Sequence, residues 1–549
     1  MISIKFELYE TDVLGRIGKI EIDEKSMITP NLFPVIHPFE NLLTPKQLNE
    51  IGAEAIFTNA FILYQNKDQR ENLLKNGIHK FLDYKGIIAT DSGAFQQYMY
   101  KNDIEIKADE IELFQEKIGS DLPVILDIPV QLNDSYETAK TKIDKNIHRA
   151  RENISRRSDR TRNWIGPIHG GTYHDLLERS TIEMSNLDFA LYAIGGLVKP
   201  FLDYRFKITI DMLLTVKKKI RNDKPLHMFG LGLPQFFSLA VACGCDLMDS
   251  AAYILYAKEN RYFTLSSGTK SLDEINEFPC NCPVCSKYTP TEIKGLENGL
   301  RTEFLANHNL YVSFSELKTI RQAIREGNLL ELVETRIRTH PNLVDAYRLI
   351  SKNSKFFEKY DKSYKTHGQL FASTESSYRP IFYRYQKKLD LYCQHNLNTK
   401  FLILLPELDA RGENSPTIKR WVEELISYEL SEKREITIFY ISPFFGLIPI
   451  ELSEIYPLGQ HEHLDLDKMT NIAYEIVKSF FSKNIERFDL IGILLPKNFL
   501  NQFNEENDFS IYSPIYQISD YLNKKYSKKI ITAFTIKSIL EHFKNWEER

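Results

Sequence analysis

Two aspartates stand in matching surroundings, Asp91 in the run Asp91-Ser92-Gly93-Ala94-Phe95-Gln96 and Asp249 in Asp249-Ser250-Ala251-Ala252-Tyr253. Each follows a short apolar run and precedes small residues, the pattern of a strand that ends in a turn. Brought to one place, such a pair can divide labour. One carboxylate attacks an anomeric carbon, or stabilises the oxocarbenium-like transition state, while the other gives a proton to the leaving group, as in retaining glycoside-cleaving enzymes. Taken singly, an aspartate before serine could equally cap a helix. The residues alone reach as far as an enzyme with paired carboxylates.

A second cluster has metal-ligand spacing. Cys280, Cys282 and Cys285, followed by His308, offer three thiolates and one imidazole, a full tetrahedral set for Zn2+. Four protein ligands leave no position for water, so the expected ion is structural, worth ~10–16 kcal/mol of apparent binding free energy. Packing has no need for three thiols within six residues. Cys243, Cys245 and Cys393 read instead as small buried hydrophobes.

The elements that must position these groups follow from periodicity. Short apolar runs at 32–36, 53–58, 87–90, 124–126, 164–168, 191–194, 227–231 and 247–248 are strand candidates. Amphipathic stretches such as 45–52, 108–117, 135–158 and 204–221 lie between them, which favours parallel strands joined by helical crossovers. Eight such units predict a (β/α)8 TIM barrel, whose chemistry sits at the carboxyl ends of the strands. Those ends read Asp91-Ser92-Gly93, Asp127-Ile128-Pro129, His169-Gly170-Gly171, Gly195-Gly196, Gly230-Leu231-Gly232 and Asp249-Ser250. The expected catalytic barrel spans 1–350, with the zinc-binding insertion at about 254–312 and Arg- and Glu-rich helices at 314–327 and 329–339 that cover the barrel. A helical trailer at 351–395 leads to a second, smaller α/β domain at 396–549, with strands at 401–405, 436–441 and 490–495, helices at 417–430, 469–481 and 515–526, and a final strand and helix. Residues 411–415 read as a loop, and the domain has no Gly-rich phosphate loop.

At 549 residues, with 43% hydrophobic and 26% charged residues, the chain is too long for a stapled mini-scaffold and too apolar for a disordered one. The 70 Lys and Arg nearly balance the 74 Asp and Glu, so a nucleic-acid partner must meet a local basic face. Candidates are Arg149, Arg151, Arg156, Arg157, Arg160 and Arg162 along one helix, and Lys217, Lys218, Lys219 and Arg221 at the end of another. Each cluster is also what a solvated helix end looks like. No run approaches the ~18 apolar residues of a membrane span, and the start of the chain alternates like a strand rather than a secretory signal, so a cytoplasmic protein is expected.

Six ordered motifs and the cysteine spacing together resemble the tRNA-guanine transglycosylases, most of all the archaeal branch, the archaeosine tRNA-ribosyltransferases. They are the runs from Asp91 and Asp127, Gly195-Gly196-Leu197-Val198, Gly230-Leu231-Gly232-Leu233-Pro234, the run from Asp249, and Phe278-Pro279-Cys280-Asn281-Cys282-Pro283-Val284-Cys285 with His308-Asn309-Leu310. Gly15-Arg16-Ile17-Gly18-Lys19 and Thr29-Pro30 also match, so the resemblance covers roughly residues 10–350. It implies exchange of guanine 15 in the D-loop of archaeal tRNA for 7-cyano-7-deazaguanine (preQ0), an early step toward archaeosine. On the matching positions Asp249 would be the nucleophile and Asp91 the general acid and then base. Asp127 would bind the purine's N1–H and exocyclic amine, Phe95 and Phe229 would sandwich the ring, and Gly196, Leu197 and Val198 would bring backbone up to it. Where the family has glutamine after the fifth strand this chain has His169, which can still donate one hydrogen bond to the base's carbonyl but adds a titratable group. The resemblance further implies a homodimer. Pro443 to Glu462 is similar to a piece of archaeal transglycosylases and archaeosine synthases, and no PUA domain is seen, so a separate PUA-bearing protein is an expected helper. Competing readings are a catalytically silent RNA-binding subunit and a synthase-like amidotransferase.

Overall fold

The structure, a computed structural model, describes residues 4–40, 42–93, 107–157, 163–396, 399–407, 416–432, 435–455, 457–459, 461–464, 466, 468–495 and 513–547. Phe95, Arg160, Arg162 and the 411–415 loop lie outside the described residues. The chain is a mixed α/β protein of two compact units, Met1–Lys352 and Asn353–Arg549.

The first unit opens with an antiparallel sheet of β1 (Lys5–Asp12), β2 (Gly15–Ile22) and β3 (Lys25–Thr29). Eight short strands follow: β4 (Asn31–Pro34), β5 (Ala55–Asn59), β6 (Ile87–Asp91), β7 (Leu122–Pro123), β8 (Ile165–Ile168), β9 (Leu191–Ile194), β10 (Leu226–Met228) and β11 (Leu247–Ser250). They form two sheets, ordered β4-β11-β10-β9-β8 and β5-β6-β7, with every pairing parallel. Isolated parallel bridges join the sheets at both margins, Val35 to Phe57 and Val124 to Ile165.

Alternate residues of the strands, among them Ala55, Phe57, Ile87, Ala89, Leu191 and Ala193, share one apolar cluster with Ile20, Ile22 and Met27 of the antiparallel sheet. Their spacing of two is the pleat period that turns one face inward. The opening sheet is tied down by Arg16, whose Nε donates to Asp246 Oδ1 at 2.9 Å immediately before β11. The Gly15–Lys19 motif is therefore structural at Arg16, and the carboxyl ends of the strands are left for polar groups. Local signals set the crossovers. Thr44 and Gln47 form a capping box before the helix Pro45–Ile51, which stops at Gly52 in the left-handed region, and Ser135 caps Tyr136–Arg156.

Two expectations shift. The run 124–126 pairs one step early, at Leu122–Pro123. The chain leaves the ladder because the Ile125 and Leu126 carbonyls accept from Ser92 Oγ and Arg149 Nη1. The helix expected at 314 begins at Asn298 and runs to Glu326, its first half disguised by the buried polar residues His308, Asn309 and Ser313. Leu329–Ile337 and Pro341–Lys352 then pack on the helices Pro234–Ala242 and Phe206–Lys217.

The region around the cysteine cluster adds a hairpin, β12 (Arg261–Thr264) and β13 (Gly268–Ser271). In the second unit β14 (Gln369–Phe371) pairs in parallel with β18 (His461–His463), and β15 (Phe401–Pro406), β16 (Ile436–Ser442), β17 (Gly446–Pro449), β19 (Leu490–Leu494) and β20 (Ile530–Ala533) make a sheet ordered β17-β16-β15-β19-β20. All its pairings are parallel except β16 with β17. Strands β14, β17 and β18 were not expected, being only three or four residues long. Among the described residues no helix is long and apolar enough to cross a membrane.

Candidate functional site

Asp91 closes β6 and is paired by register with Asn59, the last residue of β5. Asn59 Oδ1 caps the next helix at the Ile62 amide, and its Nδ2 donates to Asp91 Oδ2 at 3.1 Å. Beyond Asp91 the chain turns at Gly93, where φ is +89° and a Cβ would lie 2.2 Å from that of Phe61, so only glycine fits. Burial, and then the nearby carboxylates of Asp127 and Asp249, push the Asp91 carboxyl up to about 7, against the pull of the Gly93 and Ser92 amides. The structure thus gathers Asp91, Asp127 and Asp249 at one place, as the strand-end pattern predicts.

Asp249 lies within β11. Its Oδ1 accepts from His227 Nε2 at 2.8 Å and from the Gly230 amide at 3.1 Å. Ser250 Oγ, not Asp249, accepts from the Ala252 amide at the start of Ala252–Lys258, so the helix-cap reading of Asp249 fails. His227 is fully buried on β10, its ring 5.5, 6.0 and 5.1 Å from those of Phe33, Phe57 and Phe229. Its signal in the sequence is a histidine at an inward-facing position of an otherwise apolar strand.

Asp127 follows the Val124 bridge, and its Oδ2 is 2.6 Å from His169 Nε2. His169 is only 2% exposed, and its ring lies against Gly195, where a Cβ would stand 2.1 Å from Cε1. His169 is therefore a partner of Asp127 through Nε2, while its buried Nδ1 makes no hydrogen bond among the described residues. Gly196, at φ +78°, passes so close to Val130 that a Cβ would lie 2.7 Å from the carbonyl oxygen. Leu197 is fully buried, and Val198 packs on Gly230. Phe229 packs edge-on against Phe57 at 6.1 Å and joins the apolar cluster under the carboxylates. Its proposed stacking partner Phe95 lies outside the described residues.

The four expected metal ligands converge: one donor atom each of Cys280, Cys282, Cys285 and His308 lie within 4.8 Å of one another. His308 Nδ1 is 3.4 and 3.3 Å from the sulfurs of Cys282 and Cys285, while its Nε2 donates to the Phe263 carbonyl at 3.0 Å. A carbonyl only accepts, so that bond fixes the proton on Nε2 and turns the Nδ1 lone pair toward the thiols. Tyr262 stacks on the His308 ring at 3.6 Å, and its hydroxyl meets Cys285 Sγ at 3.3 Å. Cys243, Cys245 and Cys393 are buried.

The basic face is corrected. Arg157 is buried, with Nε on Asn153 and Nη1 on the Asp188 carbonyl, and burial lowers its pKa to about 10. Lys217 is buried as well and pushed down to about 8 by desolvation. Arg151, Arg156, Lys219 and Arg221 pair with Glu183, Glu112, Glu178 and Asp223. Helical spacing alone does not give exposure, and the two helices turn Arg157 and Lys217 inward.

Comparison with known proteins follows the same lines. The queuine tRNA-ribosyltransferase family matches residues 12–342. The tRNA-guanine(15) transglycosylase of Methanococcus maripaludis strain S2 is 37% identical over 535 residues, covering 96% of this chain and 79% of the relative. That of Methanocaldococcus jannaschii is 38% identical over 510 residues, 91% and 75% of the two chains, and that of Methanobrevibacter smithii 36% over 493, 89% and 73%. The order of motifs and the likeness over nearly the whole chain agree, and the chain belongs to the queuine tRNA-ribosyltransferase family.

Proposed function

We propose that this protein is a tRNA-guanine transglycosylase that exchanges guanine 15 in the D-loop of tRNA for 7-cyano-7-deazaguanine. The observation that carries the reading is the division among the carboxylates: Asp91 is pushed up to about 7 while Asp249 is held by two donors. A carboxyl that keeps its proton near neutrality, beside a second carboxyl oriented by two donors, is what an acid and nucleophile pair needs.

In the first half-reaction Asp249 Oδ2 attacks C1′ of the ribose. The C1′–N9 bond breaks, its electron pair leaves with guanine, and Asp91 gives the base a proton. In the second half-reaction the incoming base surrenders its N9 proton to the Asp91 carboxylate, N9 attacks C1′, and the bond to Asp249 breaks to restore its carboxylate. No net proton or electron is consumed. A group near 7 serves both directions at neutral pH. Asp127, oriented by His169, accepts from the N1–H and exocyclic amine of the purine, and the close backbone at Gly196 together with apolar Val198 suits an uncharged nitrile.

A closed (β/α)8 ring is the architecture proposed to hold these groups, supported by the two parallel bridges that join both margins of the sheets. Cys280, Cys282, Cys285 and His308 fit Zn2+ in donor type and tautomer, and a bound ion would supply a structural crosslink with no open coordination position.

The test is incorporation of labelled guanine into unmodified archaeal tRNA, with Asp249→Ala in parallel and 7-cyano-7-deazaguanine as competitor. Wild-type incorporation that the nitrile base suppresses and the variant lacks is expected. No incorporation by folded wild-type protein would overturn the catalytic reading in favour of a silent RNA-binding subunit.

A further inference from the structure

We propose that Glu407, His461 and His463 form a second metal site, in the C-terminal unit, that takes a late first-row divalent ion such as Zn2+, Co2+ or Fe2+. One donor atom from each residue lies within 4.8 Å of the other two. The inference is independent of the transglycosylase reading, since it rests on a different unit of the chain.

Topology places the first ligand. Glu407 directly follows Pro406, the last residue of β15. From β15 the chain first moves to β16 on one side and later returns to β19 on the other, both parallel to it. The winding of the sheet therefore reverses at β15. In open α/β sheets ligands bind beyond the carboxyl ends of the strands at such a reversal, and that is where the Glu407 carboxylate stands.

Strand pleating places the other two. His461 and His463 are two residues apart on β18, so both project from one face, with their rings 5.5 Å apart. His461 Nδ1 donates to the Pro457 carbonyl at 3.0 Å, and His463 Nδ1 donates to the Leu464 carbonyl, also at 3.0 Å. Because carbonyl oxygens only accept, each Nδ1 carries a proton, which makes Nε2 the nitrogen that can ligate a metal. Metal-binding histidines are commonly oriented by such a bond from the other nitrogen. His463 Nε2 stands 3.4 Å from Glu407 Oε2.

The surroundings favour an ion over a solvated pair. The side chains of Glu407 and His463 are 9% and 17% exposed, and His461 is buried. Phe371 and Phe445 pack at 5.1 and 5.0 Å from the His461 ring, and Phe444 at 5.5 Å from His463. Two imidazoles and one carboxylate, with no thiolate, select the ions that accept nitrogen ligands rather than Mg2+ or Ca2+. Three protein ligands also leave a coordination position for water or substrate, unlike the closed cysteine set of the other unit.

The experiment loads the full-length protein with Co2+ alone, or Zn2+ alone, and measures bound metal per chain after passage over a weak chelator, together with the visible spectrum of the Co2+ form. Two ions per chain are expected. Glu407→Gln and His463→Gln should each bind one, with at least a tenfold loss of affinity at the second site. Both should keep the thiolate-to-cobalt charge-transfer band of the cysteine centre and lose only the weaker ligand-field bands of the nitrogen and oxygen site. One ion per chain in the wild type, with the thiolate band, would overturn the proposal and leave a Glu407–His463 ion pair in its place. So would a second ion retained by both variants. The wild-type stoichiometry decides the matter even where a variant fails to fold, which circular dichroism would reveal.

Discussion

Replacing Asp91 by asparagine should trade activity for stability, and the exchange should depend on pH. The carboxyl is lifted from 3.8 to about 7, chiefly by burial and then by Asp127 and Asp249. The native state thus binds the Asp91 proton more tightly than the unfolded chain does. Well below pH 3.8 both states are protonated and nothing is lost. As pH climbs from there to 7 the unfolded chain ionises first, and the native state falls behind by about 1.4 kcal/mol per unit, about 4 kcal/mol in all. Asparagine cannot ionise and escapes this loss. Between pH 5 and pH 8 the stability of Asp91→Asn minus that of wild type should widen by roughly 2–3 kcal/mol. Urea unfolding would measure it, with Trp421 and Trp546 changed to phenylalanine so that Trp164, buried in the first unit, alone reports. The same variant should form no covalent tRNA intermediate. A stability difference that stays flat across that range would refute the reasoning, because Asp91 would then not be holding its proton near neutrality.

Four further outcomes follow from named contacts. His169→Ala should raise the KM for the incoming base by roughly 10–100-fold, the value of a hydrogen bond to a charged group, whereas His169→Gln, which keeps an N–H donor, should restore most of it in steady-state exchange assays. His227→Leu should lower the rate of covalent-intermediate formation by a similar factor with little change in tRNA affinity, and equal losses in both would argue for a purely structural histidine. Gly196→Ala forces a side chain to φ +78° and into the Val130 carbonyl, so it should cost about 1–2 kcal/mol in thermal unfolding and abolish base binding. Cys282→Ser should lower zinc content measured by atomic absorption and open the 254–312 region to limited proteolysis, with wild-type protease resistance as the contrary result.

The carboxylates and the cluster of three cysteines with His308 are legible because their signals are local. Asp91 and Asp249 each end an apolar run beside small turn residues, Asp127 ends one two residues before Pro129, and three cysteines in six positions have one chemistry. The partners of those carboxylates were not legible, since they come from neighbouring strands: Asn59 reaches Asp91 only through the β5–β6 register, and His227 reaches Asp249 only across β10 and β11. The misread basic helix is instructive in the other direction. Its buried stripe runs Ala139, Ile143, Ile147, Ala150 and Asn153, and at the same three-to-four spacing the next inward position is Arg157. Extending the apolar stripe by one turn would have removed Arg157 from the list of phosphate contacts. The His461–His463 strand escaped for a third reason: three residues with a single central glutamate carry no periodicity to detect.

The partners of these three carboxylates differ in kind. Asp127 is bonded by His169 and Asp249 by His227, both buried imidazoles. Among the described residues the side-chain donor to Asp91 is the Asn59 amide. An amide offers a dipole and nothing more. Burial and the neighbouring carboxylates lift the Asp91 carboxyl to about 7 in spite of that dipole and of the Ser92 and Gly93 amides. Exchanging Asn59 for aspartate would add a fourth acid beside it and drive that value higher, while Asn59→His would give Asp91 the same partner as the other two. The second variant should therefore move the pH at which covalent-intermediate formation falls off to a lower value, and an unmoved profile would separate the choice of acid from the choice of partner.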